Sequence, residues 1–550
     1  MSRAAWLAGS ALIATTAALP AAAQTRTAQP RAAQTRTTQV SPYVEIGQGV
    51  VADLTNDDVL TYTQLTAGVD ATVRSRRVQV QASYQYQRQI GWGDDVGDSE
   101  THSGLAQANV QLTRTLSLEA GALATRMRSG IGGYAPAYIG GYGSGGNAQL
   151  YSLYGGPSFS TQAGPVAVDA GYRIAYTKAD SPDTFRFGTD RALDYFQEST
   201  SHQVRGSLAT RPGTVLPVGL KLSGGFVRED SSQLDQFYEG KFLRLDGLMP
   251  VSRELAIVGG IGWEQIRVGQ RDPLLDEDGF PIADGSGRYV TDPASPIRLA
   301  YDIDGVIWDA GVMWRPTPRF ALEARIGQRY GSMIYTGSLE WQTSPASGLQ
   351  VRVYDTVTTF GQQLTNGLDS LPTSFFTGGA DPFGNRYSGC VFGDGSGDSG
   401  APQPGGCLTP IFQSASGSVY RARGVDAVYS VSRGATRFGV GAGYAHRHYF
   451  LPAIPNSVFD RGDDESYYAQ AFAQRSLDSR SGITADLYAN YFSGGGEGGF
   501  DSWGGGVQGA YYRSFGRAYG TLSGGLYTYD ADAGESAWIA QALLAFGYRF

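Results

Sequence analysis

The stretch VQVQASYQYQRQ, residues 78–89, restricts the possible folds more than any other part of the chain. On an extended backbone Val78, Val80, Ala82, Tyr84 and Tyr86 share one face, and Gln79, Gln81, Ser83, Gln85, Gln87 and Gln89 share the other, because successive side chains alternate across a strand. One face needs apolar surroundings and the other needs hydrogen-bonding partners. A soluble sandwich would bury the Tyr/Val face under a second sheet. A membrane barrel would turn it to lipid and keep the Gln face inside.

The same alternation recurs from about residue 42 to the end, and no segment sustains a helical period. In PVAVDAGYRIAY (165–176), Val166, Val168, Tyr172 and Ile174 oppose Asp169 and Arg173. In RFALEARIGQR (319–329), Phe320, Leu322 and Ile326 oppose Glu323, Arg325 and Arg329. In GITADLYANY (482–491), Ile483, Leu487 and Tyr491 oppose Asp486 and Asn490. The pattern predicts about 22 strands, within a range of roughly 18–22. They start near 42, 60, 76, 101, 115, 147, 164, 195, 215, 236, 252, 300, 318, 334, 347, 417, 434, 465, 481, 502, 516 and 536. Alternation is weakest near 236, 334 and 417.

The connections sort by parity. Those after even-numbered strands are tight, such as RSRR (74–77), TRT (113–115), SRGAT (432–436) and SFGR (514–517), and they carry Arg76, Arg114, Arg433, Arg480 and Arg517. Those after odd strands are mostly longer and richer in Asp and Gly: 129–146, 179–194, 271–299, 363–416 and 451–464. Asp94, Asp95, Asp98, Asp272, Asp276, Glu277, Asp278, Asp463, Asp464 and Glu465 fall on that side. A closed antiparallel barrel puts all even connections on one rim and all odd ones on the other, and outer-membrane barrels have short periplasmic turns and longer extracellular loops. The net charge of −8 thus averages two rims of opposite sign. An acidic mouth would either be simply solvated or would gather cations and divalent-bridged glycans.

The start of the chain reads as a secretory signal over 1–23: Arg3, the apolar run Trp6–Leu19, and Ala21-Ala22-Ala23 as the cleavage site. Residues 24–41 repeat Gln-Thr-Arg-Thr without apolar periodicity and read as a disordered lead. The barrel would occupy 42–550. Cys390 and Cys407 are the only cysteines. In an exported chain they are expected to form a local disulfide, since a metal site would want more ligands.

The chain ends WIAQALLAFGYRF, with Trp538, Leu544, Phe546, Tyr548 and Phe550 on one face. This resembles the terminal strand of bacterial outer-membrane barrels. The resemblance implies that Tyr548 and Phe550 belong to the signal read by the barrel-assembly machinery. PYVEIGQGVVADLTNDD, the following LTYTQLTAGVDATVRSRRVQVQASYQYQRQ, and YYRSFGRAYGTLSGGLY (511–527) resemble proteobacterial outer-membrane β-barrel porin families, including barrels tied to exopolysaccharide systems. The likeness covers roughly the first 90 and last 50 residues well and the middle only in style. It implies an all-β transmembrane barrel in the bacterial outer membrane, in contact with its lipid, and carries no active site. The Tyr/Val face of 78–89 then meets lipid.

Parity places Glu119, Asp169, Arg173, Lys221, Glu264, Asp309, Glu323, Arg325, Arg329, Arg352, Arg437, Arg447 and Asp486 inside, as pore-lining candidates. On the lipid face an Arg at the midplane would cost roughly 2–4 kcal/mol. They form either a ladder of wall ion pairs or a lined pathway whose field selects solutes. About 22 strands make a cylinder roughly 40 Å across. With the first strand starting near 42 there is no room for a separate N-terminal plug domain. Something else must narrow the lumen, and the long connection 363–416 is the candidate, folded inward as a constriction or held outward as a binding surface. The Gly-rich loops precede no helix, so no phosphate cradle or other cofactor site is expected. The spread of Arg around one rim argues against nucleic acid. The functional expectation is porin-like passage of small polar solutes or sugar chains. The alternatives are a non-conducting structural or surface glycan- or cation-binding barrel, and an outer-membrane hydrolase built on Ser and His.

Overall fold

In a computed structural model the chain is described over residues 37–550, apart from 93–97, 129–146, 181–195, 283, 285–288, 376–382, 384–386, 388, 394–403, 413–416, 451–461, 496–500 and 532–534. The expected signal peptide, the lead up to residue 36, and Asp94 and Asp95 lie outside the described residues.

The strands are β1 Thr37–Asp53, β2 Asp58–Arg74, β3 Val78–Trp92, β4 Ser99–Gln111, β5 Leu116–Arg128, β6 Asn147–Ala163, β7 Val166–Asp180, β8 Glu198–Thr210, β9 Gly219–Ser231, β10 Phe237–Pro250, β11 Leu255–Gln270 and β12 Arg298–Thr317. They continue with β13 Phe320–Arg329, β14 Ser332–Ser344, β15 Ser347–Thr358, the short β16 Cys390–Phe392 and β17 Gly405–Cys407, β18 Val419–Arg433, β19 Thr436–Phe450, β20 Asp463–Ser476, β21 Ser481–Gly494, β22 Asp501–Phe515, β23 Ala518–Ala531 and β24 Glu535–Arg549. All except β16 and β17 belong to one 22-stranded antiparallel sheet. The first strand begins at Thr37, ahead of its expected start, because pairing with β2 extends to Thr37↔Arg74. The ring closes where β1 pairs with β24, from Tyr43↔Arg549 to Asp53↔Ile539, and Phe550 N–H donates to Pro42 O at 3.0 Å. Closure matters because hydrocarbon offers no partner to a free strand edge.

The outer face is apolar at mid-height, with Ile261, Val306, Leu487, Leu522 and Leu544 all exposed. Aromatic rings mark its two borders. Near the tight turns, Phe320 contacts Trp314 and Trp341 edge-on. Near the long loops, Tyr444, Tyr467 and Tyr491 form a row. There the polar tips are anchored: Tyr491 donates to Asp501 at 2.8 Å and Trp503 Nε1 to Asp530 at 3.1 Å. Amphipathic rings sit where hydrocarbon gives way to headgroups. The chain is a bacterial outer-membrane β-barrel.

The cylinder is not uniform. Hairpin β13–β14 ends low, in a two-residue turn at Tyr330 and Gly331 with φ of 55° and 71°, the left-handed pair that a tight hairpin of this hand requires. β12 runs on past it, and β15 parts from β14 beyond Val353. Above it the upper parts of β15, β18 and β19 slide inward behind β9–β12. Faces exchange there: Val357, Val419 and Phe450 are outward by parity, yet they pack with Tyr238, Ile266, Val268 and Tyr301, which are inward by parity. Phe450 stacks on Tyr301 at 4.1 Å between ring centroids. Asp355 and Arg421, also outward by parity, form a buried two-pronged pair at 2.6 and 2.7 Å.

Leu487 sits mid-strand on the lipid face. Leu487→Arg is expected to destabilise the barrel by about 2–4 kcal/mol, measured by denaturant unfolding in lipid vesicles. A loss close to zero would show that this face does not meet hydrocarbon.

Candidate functional site

The lumen is occupied by the chain between β15 and β18. A ten-residue helix, α1 Phe360–Asp369, opens this segment. Its start is fixed by Thr359, whose hydroxyl accepts from Gln362 N–H at 3.0 Å and donates to the buried Glu229 at 2.6 Å. Phe360, Leu364 and Leu368 recur every fourth residue and form one stripe. That stripe packs on Leu105, Leu123 and Leu150, which point inward from β4, β5 and β6. The barrel interior is therefore dry along this wall rather than uniformly watery.

Polar contacts hold the segment to the same side. Gln107 Nε2 donates to Leu368 O at 2.8 Å. Gln81 Nε2 donates to Phe375 O at 2.6 Å, and its Oε1 accepts from Phe375 N–H at 3.3 Å. Arg173 pairs with Asp369 at 2.7 Å, and Arg74 donates to Ser374. The Gln face of 78–89 thus supplies part of the seat for this loop. The chain then returns to the opposite wall, where Cys390 N–H donates to Gln470 Oε1 at 2.6 Å and Phe392 packs on Phe472. Cys390 and Cys407 face each other across the β16–β17 pair and are joined by a disulfide. Gly441 of β19 lies directly under both sulfurs, and a Cβ there would come within 2.4 and 2.5 Å of them. The described residues of the connection 363–416 therefore fold inward rather than outward.

The inward charges divide into two groups. One is a buried cluster across β9, β10, β12 and β13. Arg325 reaches Glu323 at 2.5 Å, Asp309 at 2.9 Å and Asp246 at 3.3 Å. Arg244 reaches Asp309 at 2.6 Å and Asp246 at 2.7 Å, and Lys221 is the cross-strand partner of Asp246. Three cations face three carboxylates, so the cluster is neutral. Arg329 with Glu264 and Arg447 with Asp464 are separate pairs. Asp464, grouped above with the acidic mouth, is instead 5% exposed and inward, receiving both Arg447 and the Tyr449 hydroxyl. Glu119 accepts from Asn109 and Ser158, while Asp169, Arg437 and Asp486 also fall on inward positions of β7, β19 and β21.

The second group lines a cavity between the loop and the wall strands β13, β14, β15 and β18. It holds about 1490 Å³ of space free of protein atoms, open solvent included. Gln350, Arg352, Tyr354, Thr356 and Thr358, successive inward residues of β15, all border it, as do Gln363, Asn366 and Ser370 from the loop. From Gln350 to Thr358 the strand runs about 26 Å, or about 20 Å along the barrel axis at a tilt of about 40°. The cavity is a column beside the loop.

Sequence reading missed Arg244 and Asp246, although LRLDGL alternates, and missed α1, whose Phe360, Leu364 and Leu368 spacing is its only signal. The four imidazoles all lie on the outer face. His102 pairs with Tyr84 and His202 with Tyr172, at 2.7 and 2.8 Å, and His446 and His448 both face Asp463. No group of three potential metal ligands occurs among the described residues.

No protein-family model matches the chain, and no curated protein matches it. Among solved structures it is similar to the FrpB iron transporter of Neisseria meningitidis, at 8% identity over 93% of this chain and 81% of that one, with a TM-score of 0.45. It is similar to the ferric-catecholate import receptor Fiu of E. coli K12, at 12% identity over 92% and 81%, TM-score 0.41. It is also similar to OccAB4 of Acinetobacter baumannii, at 9% identity over 94% and 99%, TM-score 0.28. Likenesses this distant say nothing about solute or partner.

Arg325→Met leaves Glu323, Asp309 and Asp246 without their shared guanidinium. It is expected to cost about 3–5 kcal/mol in denaturant unfolding, whereas Arg480→Met, on an exposed turn, is expected to cost close to nothing. Equal effects would show that the cluster is hydrated.

Proposed function

We propose that the protein is a porin-like barrel that passes small polar solutes, or an extended sugar chain, along the column between the inward loop and the β13–β18 wall. The supporting observation is that every inward residue of β15 from Gln350 to Thr358 borders one cavity. Amides, hydroxyls, the guanidinium groups of Arg325 and Arg352 and the carboxylates of Glu323, Asp369 and Asp426 line it, groups that can replace water around a polar solute. The neutral cluster around Arg325 borders the same cavity through Glu323 and Arg325. The C-terminal strand, with Tyr548 and Phe550 turned outward, serves in this reading as the segment handed to the barrel-assembly machinery.

The in-folded wall around Phe450 and Tyr301 favours a second reading, a closed barrel whose surface loops bind glycan or cations. Planar-bilayer recording of the purified protein separates the two. The first predicts discrete ion-conducting steps, and a severalfold larger step when residues 360–412 are replaced by a short Gly-Ser linker. Silence from the intact protein, with current only after that replacement, would favour the closed barrel.

A further inference from the structure

Among the charged residues bordering the column, Arg352 stands apart. Arg325 is shared by three carboxylates, Asp369 is held by Arg173, and Asp426 accepts from the Tyr468 hydroxyl. Arg352 has no carboxylate at ion-pair distance among the described residues, although Asp426 is its cross-strand neighbour on β18. With the Gln350 amide turned to satisfy both neighbours, its oxygen accepts from Arg352 Nε at 3.0 Å and Nη2 at 2.7 Å, while its nitrogen donates to Gly405 O at 3.2 Å. The loop thus fixes the amide, and the amide holds the guanidinium at the cavity wall.

Three polar atoms of other lining residues are buried without a hydrogen-bond partner: Glu323 Oε2, Tyr354 OH and Asn366 Oδ1. Glu323 is itself only 8% exposed. Burying such atoms unpaired is costly, so a solute with matching groups would be favoured here. Glu323 Oε2 and Asn366 Oδ1 require donors, and Tyr354 OH can donate. Hydroxyl groups meet both demands, and a planar carboxylate meets the fork of a guanidinium.

We infer that the column contains a binding site for an acidic sugar, a polyhydroxylated solute whose carboxylate engages Arg352 and whose ring hydroxyls engage Asn366, Glu323 and Tyr354. The inference rests on the column being a solute pathway and names the class of solute.

Ligand-observed NMR on the detergent-solubilised full chain tests it, with galacturonate as the probe and galactose as the uncharged comparator. Galacturonate is expected to bind about tenfold or more tightly than galactose. Arg352→Gln should abolish that preference, and Arg352→Lys should restore part of it. Should Arg352→Gln fail to fold, Asn366→Leu on the loop must weaken both sugars. Equal binding of the two sugars by the intact protein, or a preference unchanged by Arg352→Gln, overturns the proposal. Conducting steps without galacturonate preference would remove this inference and leave the pathway standing. Galacturonate preference without conducting steps would support the site and remove the pathway.

Discussion

Hydrocarbon cannot hydrogen-bond, and every other feature of this chain follows from that. Each backbone N–H and C=O at membrane depth must be satisfied within the protein, so a chain of half-apolar strands can enter the membrane only as a closed ring. The pairing of β1 with β24 completes the ring. The consequence reaches every side chain, because a closed antiparallel wall has a fixed inside and outside. Parity then assigns Tyr84 and Leu487 to lipid and Gln81 and Arg325 to the interior.

Twenty-two strands enclose more space than their own side chains can fill, and the chain solves this in two ways. Above the short β13–β14 hairpin the wall folds in, so that an outward face and an inward face make an apolar seam around Val357 and Ile266. Elsewhere the chain between β15 and β18 crosses the lumen. It carries its own apolar stripe to an apolar stretch of inner wall, and its backbone is taken up by Gln81 and Gln107. Between these two fillings remains the column beside β15. On that column Arg352 has no carboxylate at ion-pair distance among the described residues, with Asp426 opposite it on β18 and the Gln350 amide against its guanidinium.

Much of the wall is legible from alternation alone. Every strand start of the 22-stranded sheet lies within five residues of the position read from the pattern, because period two is imposed locally by the pleat and globally by the lipid. Loop parity is legible for the same reason. What alternation could not show is whatever depends on contact between distant segments. The inward turn of the 363–416 connection is set by Leu105, Leu123 and Leu150, which read simply as inner-wall residues. The in-folded seam is set by the brevity of one hairpin, and it reverses the environment of Val419 and Arg421 without changing their parity. Arg352 looks like any other inward Arg in the sequence, and only the pairing of its neighbours distinguishes it.

The central claim is a sealed wall whose glutamine face grips a loop of the same chain. The most direct measurement places a photo-crosslinking amino acid at Gln81 and identifies by mass spectrometry what it captures in intact outer membranes. The account predicts a peptide from residues 360–375 of the same chain. Capture of lipid, or of a second protein, would contradict it.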